Sequence, residues 1–240
     1  MPTPSPRKKL AAPATELTQL DQTAWLRAAA AAVAEDGFNG IRILPLSKRL
    51  GVTRGSFYWH FADHAAFVEE FIVYWRNQQL RAVESYQHQK TDAVGAYEAL
   101  LDVVLTATEP ELKRLKVEFA VRGFARLNAE AARAVAVVDR ARIDLFLPIV
   151  SDIGEDTIEA ESFATLLLVQ LSGAQHAIAG PNFSAKSLAR LKAVMLLQLA
   201  AIYAVRDPHF TAEQLKSDQL KSGHKNTKRD LPEHNKAERT

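Results

Sequence analysis

The sequence contains no cysteine among its 240 residues, which excludes disulfides, thiolate zinc sites and cysteine nucleophiles. It also lacks any charge-free apolar run of about 18 residues, so no membrane-spanning helix is expected. The basic residues Arg7, Lys8 and Lys9 are followed by no apolar segment, which argues against a secretory signal. A cytoplasmic protein without a membrane partner is the expectation that follows.

Sequence patterns of enzymes are missing as well. The chain has no G-x-S-x-G pattern, no Walker phosphate-binding loop and no H-E-x-x-H metal motif. His60 and His64 are four residues apart, but the neighbouring sequence offers no third ligand at a metalloenzyme spacing. We therefore expect neither catalysis nor a metal or cofactor.

Net charge is small, since 30 Lys and Arg residues against 28 Asp and Glu residues leave +2. Residues 1–63 are more basic, with eight basic and five acidic residues and a balance of +3. This bias is consistent with a polyanionic partner but is too weak to indicate one by itself.

Helical patterns fill most of the chain, because alternating β-branched runs are absent and the few glycines lie where helices would stop. The sequence predicts an all-α fold of about nine helices. They cover about residues 21–36, 43–50, 54–61, 64–88, 92–108, 110–127, 130–153, 157–179 and 184–205. Asp21 and Asp63 are expected to cap two of these helices, and Gly37, Gly154 and residues 180–182 to end others.

Two polar ends bound the helical part. Residues 1–20 are rich in proline, and residues 207–240 carry mixed charge with few apolar side chains. Both ends are expected to be disordered. Between them we expect a small three-helix domain over residues 21–63 and a larger helical domain over residues 64–206.

Residues 46–61 have the pattern of a helix-turn-helix. Two leucines of the first helix and two phenylalanines of the second would point inward (Leu46, Leu50, Phe57 and Phe61). Gly51 is expected to open the turn because a side chain there would crowd the bend. Thr53 is expected to cap the second helix.

The second helix of this pair would present polar and aromatic groups outward. The planar guanidinium of Arg54 suits a guanine edge, and Ser56, Tyr58 and His60 can donate to phosphate oxygens. The alternative is an ordinary helix pair with a solvated face. The rings of Tyr58, Trp59 and His60 argue against it, since so short a helix leaves little core for them to cover.

These residues resemble the DNA-binding domain of the TetR (tetracycline-repressor) family. The resemblance covers residues 23–71 and is carried by Ala28–Ala29, Gly37–Phe38 and the block GVTRGSFYWHF from Gly51 to Phe61. Weaker similarity continues at Arg122–Gly123–Phe124, Asp139 with Arg142, Gly154 and Leu171–Ser172–Gly173–Ala174. It implies a three-helix DNA-binding domain, a linking fourth helix, and a helical C-terminal domain that dimerises and binds a small effector.

Two positions depart from the family pattern. Pro45 lies at the start of the second helix, where the family usually has a polar helix former, and proline is tolerated only in a first turn. His64 stands where a lysine commonly opens the fourth helix and contacts phosphate. Histidine is mostly neutral at pH 7, so a weaker contact is expected there.

Two sets of site residues follow. The expected contacts with double-stranded DNA are Arg42, Lys48, Thr53, Arg54, Gly55, Ser56, Tyr58, Trp59, His60 and His64. The expected effector pocket contains Trp75, Tyr97, Glu118, Arg122, Gln170, Gln175 and His176. For His176, the alternative is a core or interface histidine with a hydrogen-bond partner.

The resemblance implies a homodimeric regulator on a palindromic operator, with repression relieved by a small-molecule effector as the default. Helices 157–179 and 184–205 of each subunit would form a four-helix interface, and a charge at Leu171 would separate the subunits. The alternatives are an activator, a DNA-binding adaptor that responds to a protein partner, and a helical small-molecule carrier or enzyme.

Overall fold

The computed structural model describes residues 21–87, 93–105, 108–151, 157–178 and 184–206. These residues form nine α-helices, one 3₁₀-helix and no strand, so the predicted all-α fold is confirmed over the described part of the chain. The α-helices are α1 (Gln22–Asp36), α2 (Ile43–Leu50), α3 (Arg54–Phe57), α4 (His64–Gln87), α5 (Ala93–Val104), α6 (Glu109–Phe124), α7 (Ala129–Val150), α8 (Thr157–Ile178) and α9 (Ala185–Arg206).

Several sequence expectations lie outside the described residues. They concern the arm over residues 1–20, the tail over residues 207–240, and the helix stops at Gly154 and residues 180–182. No helix among the described residues combines the length and the apolar character needed to cross a membrane.

The chain divides into two compact units, Met1–Phe71 and Ile72–Thr240. The first unit extends to Phe71 rather than ending at Asp63. The reason is that Phe67 and Phe71, in the first two turns of α4, are completely buried. The ring of Phe67 packs 4.5 Å from that of Phe61, and the ring of Phe71 packs 5.9 Å from that of Phe38.

Capping signals place the helix ends of the first unit. The Oδ1 atom of Asp21 accepts a hydrogen bond from the amide of Ala24 (2.8 Å), and α1 ends before Gly37, whose φ is +64°. Asp63 accepts in the same way from the amide of Ala66 (2.9 Å) at the start of α4. These three predicted signals are confirmed, since each satisfies or terminates the backbone as expected.

The second unit is built around a core contributed by α5, α7, α8 and α9. Its largest buried side chains include Tyr97, Phe146, Leu167 and Leu199. Helix α6 ends at Phe124 rather than near residue 127, because the chain turns there. The amide of Leu127 donates to the carbonyl of Phe124 (3.0 Å), and Asn128 then caps α7.

Candidate functional site

The turn between α2 and α3 depends on Gly51. This glycine has φ +69° and ψ 26°, the left-handed conformation, and its amide donates to the carbonyl of Lys48 (3.2 Å). A Cβ added at Gly51 would meet no atom within 4 Å. The expectation that a side chain would crowd the bend is therefore wrong, and glycine is favoured because other residues are strained at this φ.

Helix α3 is shorter than predicted, because it ends at Phe57 instead of Phe61. Residues 58–60 form a tight turn in which the amides of His60 and Phe61 both donate to the carbonyl of Phe57 (3.0 and 3.1 Å). Thr53 occupies the N-cap position, but its side chain makes no capping hydrogen bond. The outward side chains at residues 54–60 therefore lie on one helical turn followed by a bend.

Phe57 anchors this segment to the first unit. Its side chain is completely buried, with its ring centroid 5.4 Å from that of Trp25 on α1 and 5.2 Å from that of Phe67 on α4. Edge-to-face packing of this kind is favourable and directional. The opposite side of the segment is thereby held towards solvent.

The solvent side carries Arg54, Tyr58 and Trp59. The Nη2 atom of Arg54 donates to the hydroxyl of Tyr58 (3.2 Å), and its guanidinium carbon lies 5.9 Å from the centre of the Tyr58 ring. Trp59 is 84% exposed, which is unusual for so large an apolar ring. The three side chains together form an outward polar and aromatic surface.

The other predicted contacts also lie in the first unit. Arg42, Lys48, Thr53 and Gly55 are exposed, whereas Ser56 and His60 are half-buried. His64 is exposed but committed to its own backbone, since its Nε2–H donates to the carbonyl of Ile41 (2.6 Å). Phosphate contact through Nε2 of His64 would have to break that bond.

The basic residues of α2, α3 and their flanks differ in whether they form ion pairs. Arg49 forms an ion pair with Glu35. Arg42, Lys48 and Arg54 form no ion pair with any other residue that the structure describes. Nowhere among the described residues are three His, Asp or Glu side chains grouped so as to hold a metal. Arg42, Lys48 and Arg54 are therefore exposed cations without an acidic partner among the described residues.

A cavity of about 70 Å³ lies within the second unit. Helices α4 to α8 line it, with Gln79, Ala82, Val83, Tyr86, Leu100, Val103, Val104, Glu111, Arg114, Leu115, Arg142, Leu145, Phe146, Leu168, Leu171, Ser172 and Gln175. Ten of these 17 residues are apolar and seven are polar. Such a mixture of apolar wall and polar groups is typical of sites for small organic molecules.

Of the seven residues expected to line an effector pocket, Gln175 alone lines this cavity. Trp75 and Tyr97 are buried away from it, and burial raises the pKa of the Tyr97 hydroxyl to about 12. Gln170 borders a smaller cleft of about 10 Å³, where its Nε2 donates to Gln198 (3.2 Å). The expected and observed lining residues differ because the wall depends on which side of each of five helices faces the cavity.

His176 and its neighbour on α6 form a separate contact. The imidazole is exposed and stacks on the ring of Phe119, with centroids 3.7 Å apart. Its Nδ1–H donates to the carbonyl of Ser172 (3.1 Å). The alternative of a histidine with a hydrogen-bond partner therefore describes its surroundings better than a pocket wall.

Glu118 and Arg122 belong to a buried ionic network behind the cavity. Both carboxylate oxygens of Glu118 accept from Arg142 (2.6 and 2.9 Å), and one also accepts from Nε of Arg122 (3.0 Å). Arg122 donates in addition to both oxygens of Asp139 (3.0 and 2.5 Å). Burial opposes ionisation of Glu118, but the two arginines outweigh it and lower its pKa to about 2.

Gln79 joins this network to α4, because its Oε1 accepts from Nη2 of Arg142 (3.0 Å). Gln79 and Arg142 were not among the expected pocket residues. The sequence does carry a signal for Gln79, since apolar residues recur at every fourth position of α4 and Gln79 interrupts them. The series is Phe67, Phe71, Trp75, Gln79 and Val83, and Gln79 is its one polar member.

Apolar side chains are exposed on α8 and α9. Leu166 and Val169 protrude from α8, and Val194 and Leu197 from α9, with Leu197 64% exposed. Leu171 points the other way, since it is 4% exposed and lines the cavity. A charge at Leu171 would therefore disrupt the subunit's own core, and its expected use as an interface probe is wrong.

Comparison with known proteins adds to this geometry. Residues 26–71 match the family model described as "Bacterial regulatory proteins, tetR family". None of the curated proteins matches the chain.

Several solved structures are similar. A transcriptional regulator from Rhodococcus sp. Rha1 is 19% identical, with 75% of this chain and 95% of that chain covered and a TM-score of 0.65. A putative transcriptional regulator from Saccharomonospora viridis, solved in complex with choline, is 18% identical, with 75% and 94% covered and a TM-score of 0.61. GusR of Salmonella enterica is 21% identical, with 74% and 93% covered and a TM-score of 0.56. Similarity at these identities establishes a shared fold.

Proposed function

We propose that this chain, whose residues 26–71 match the tetR family model, represses transcription from a palindromic operator and is released by a small-molecule effector. The observation that carries the proposal is the pairing of two features. One is the outward surface of Arg54, Tyr58 and Trp59 on the buried Phe57. The other is a cavity lined partly by α4, the helix that begins in the first unit.

The DNA-facing residues divide by chemistry. Arg54 would read a base edge, since a guanidinium can donate twice to guanine. Arg42, Lys48 and His60 would contact phosphates and set the register, and Trp59 would supply apolar contact to a thymine methyl or sugar. The hydroxyl of Tyr58 is the acceptor that holds Arg54 in place.

Dimerisation would use the exposed face of α8 and α9. Leu166, Val169, Val194 and Leu197 are apolar and exposed, and they lie on two helices that Gln170 and Gln198 join by a hydrogen bond. Exposed apolar residues grouped in this way are typical of an interaction surface. A second copy of the chain is the occupant we propose, because a two-fold interface pairs the same patch on both subunits. Two such subunits would place two α3 segments on successive major grooves.

Release by an effector requires a difference in affinity. An effector lowers DNA affinity only if it binds the DNA-free arrangement more tightly, typically by about 1–3 kcal/mol of coupling. The cavity wall includes Gln79, Val83 and Tyr86 of α4, so occupancy can act on that helix. An adaptor that responds to a protein partner would not need such a cavity.

A selection experiment tests the proposal. The purified protein would be incubated with a random double-stranded DNA library, and the bound DNA sequenced over several rounds. We expect a palindromic motif to be enriched. The double variant Arg54→Ala, Tyr58→Ala should enrich none, whereas Arg133→Ala should behave as the wild type. Arg133 is an exposed arginine of the second unit, so it controls for loss of charge alone.

Two further outcomes decide the finer points. Enrichment of a motif by the Arg54→Ala, Tyr58→Ala variant would show that the recognition surface is misassigned. Fusion of the selected motif to a reporter promoter then separates repression from activation. Reporter expression that rises when the regulator is present would overturn repression and favour an activator.

A further inference from the structure

Where Gln79, Tyr86 and Arg142 meet, the cavity wall offers more hydrogen-bond donors than acceptors. A guanidinium only donates, so the amide oxygen of Gln79 must face Arg142, as it does at 3.0 Å. The amide nitrogen of Gln79 then keeps two N–H groups that have no protein acceptor among the described residues. Gln79 is 8% exposed, so these donors are almost removed from solvent at a cavity wall.

Arg142 and Tyr86 contribute further hydrogen-bond donors that have no acceptor in the part of the protein that the structure describes. Three hydrogen bonds to Glu118 and Gln79 occupy three of the five N–H groups of Arg142, which leaves Nε–H and one hydrogen of Nη1. Burial raises the pKa of the Tyr86 hydroxyl, so this group remains a protonated donor at neutral pH. A ligand with a hydrogen-bond acceptor is therefore favoured.

The charges around the cavity are already matched. Arg142 and Arg122 are balanced by Glu118 and Asp139, and Arg114 at the rim is paired with Glu111 (3.0 Å). An anionic ligand would add an uncompensated negative charge to this buried network, and a cation would face two guanidinium groups. Both are costly where solvent is largely excluded. The wall therefore favours an acceptor without a formal charge.

The size of the cavity limits the rest of the molecule. A volume of about 70 Å³ admits roughly five waters, which together displace about the volume of one six-membered ring. Nine of the lining side chains are aliphatic, and the rings of Phe146 and Tyr86 add further apolar surface. A compact apolar body satisfies this part of the wall.

We propose that the effector is an uncharged carbonyl compound with a small apolar body, such as a ketone, ester or lactone. Its carbonyl oxygen accepts from the amide of Gln79 and from Arg142. This inference rests on the proposed function, since it assigns the chemistry of the same effector site. Contact with Gln79 also places the ligand directly against α4.

A set of four probes of nearly equal shape tests the chemistry. Acetophenone is an uncharged acceptor, benzoate an anion, 1-phenylethylammonium a cation, and ethylbenzene lacks an acceptor. Isothermal titration of the full-length protein should give a dissociation constant for acetophenone at least about tenfold lower than for the other three. Tightest binding of benzoate, the ammonium ion or ethylbenzene would overturn the proposal, and so would failure of all four to bind.

Two variants locate the site and the donor. Ala82→Phe fills the cavity from α4 and should abolish binding of every probe. Gln79→Glu keeps an acceptor for Arg142 but replaces the N–H donors with oxygen, so acetophenone should bind at least about tenfold more weakly. Undiminished acetophenone binding by folded Gln79→Glu, checked by circular dichroism, would contradict the assigned contact.

The same probes separate this inference from the proposed function. Each is added to the complex with the selected DNA motif. Benzoate or the ammonium ion binding in the Ala82-dependent site and releasing DNA would refute the carbonyl class while the regulator function stands. Acetophenone bound as expected without effect on DNA affinity would refute effector release while the ligand class stands.

Discussion

At the scale of single residues, the contact between Arg54 and Tyr58 bears on how specific the proposed recognition surface would be. Arginine has many rotamers in solution, and ordering it costs free energy on binding. The hydroxyl of Tyr58 restricts those rotamers before DNA arrives. In the proposed function, the two positions therefore form one unit in which Arg54 would contact DNA and Tyr58 would position it.

Tyr58→Phe isolates the positioning effect, because it keeps the ring and removes only the hydroxyl acceptor. We expect DNA affinity to fall about 10- to 150-fold, corresponding to about 1.5–3 kcal/mol for one hydrogen bond to a charged donor. The preference for guanine at the base read by Arg54 should also relax. Fluorescence anisotropy with the selected motif and its single-base variants measures both. Unchanged affinity and unchanged preference would show that Arg54 needs no support from Tyr58.

Glu118 predicts acid sensitivity with a defined sign. Its pKa of about 2 in the folded protein lies below the usual value of 4.5, so its ionised form is favoured by folding. The resulting stabilisation is fully present above about pH 4.5 and is lost as the pH falls towards 2. A shift of this size corresponds to a loss on the order of 3 kcal/mol.

Glu118→Gln should therefore be less stable at neutral pH, because it leaves two arginines with fewer partners. Between pH 4.5 and 2 its stability should fall less steeply than that of the wild type. Urea unfolding at a series of pH values measures both effects. Glu130→Gln is the matched control, since Glu130 is an exposed glutamate paired with Arg133. Parallel pH profiles for the wild type and Glu118→Gln would contradict the assignment.

At the scale of helices, α8 and α9 each serve two sides. Their inward residues, such as Leu171 and Leu199, close the core of the second unit, while Val169 and Leu197 face solvent. The sequence pattern of both helices is apolar over more than one face. That pattern predicts burial on two sides but does not tell which residue lies on which side.

If the proposed dimer forms through α8 and α9, Leu197→Glu is expected to convert it into monomers, because it places an unpartnered charge in that apolar interface. Sedimentation velocity measures the state at micromolar concentration. Leu127→Glu is the control, since Leu127 is highly exposed and belongs to the turn after α6. A Leu197→Glu variant that sediments as a dimer would place the interface elsewhere.

Helix ends that are set by a neighbouring capping residue were predictable from the sequence. Sites whose residues come together from several distant helices were not. The bounds of α1 and α2 follow from Asp21, Gly37 and Gly51, which act on the backbone beside them. The end of α3 was placed four residues late, because Phe61 continues the apolar spacing although the backbone bends at Tyr58. The cavity wall depends on the phases of five helices, so Arg142 and Gln79 could not be brought together from spacing alone.

At the scale of the whole molecule, binding to DNA should depend steeply on salt. Each phosphate neutralised contributes a slope of about −0.9 to the logarithm of affinity against the logarithm of salt concentration. In a dimer, Lys48→Ala removes two such contacts, so the slope should become shallower by about 2. Lys113→Ala removes an exposed lysine of the second unit and should leave it unchanged. Equal slopes for wild type and Lys48→Ala would exclude Lys48 from the phosphate contacts.

The different surroundings of the tryptophans give the molecule an optical reporter. The chain has three, of which Trp25 and Trp75 are buried and Trp59 is almost fully exposed. Collisional quenching of indole fluorescence by acrylamide in the free protein should therefore act mainly on Trp59. Binding of DNA over residues 54–60 should shield that ring and lower the quenching constant. Loss of quenching on addition of DNA then reports occupancy of the recognition surface without any attached dye.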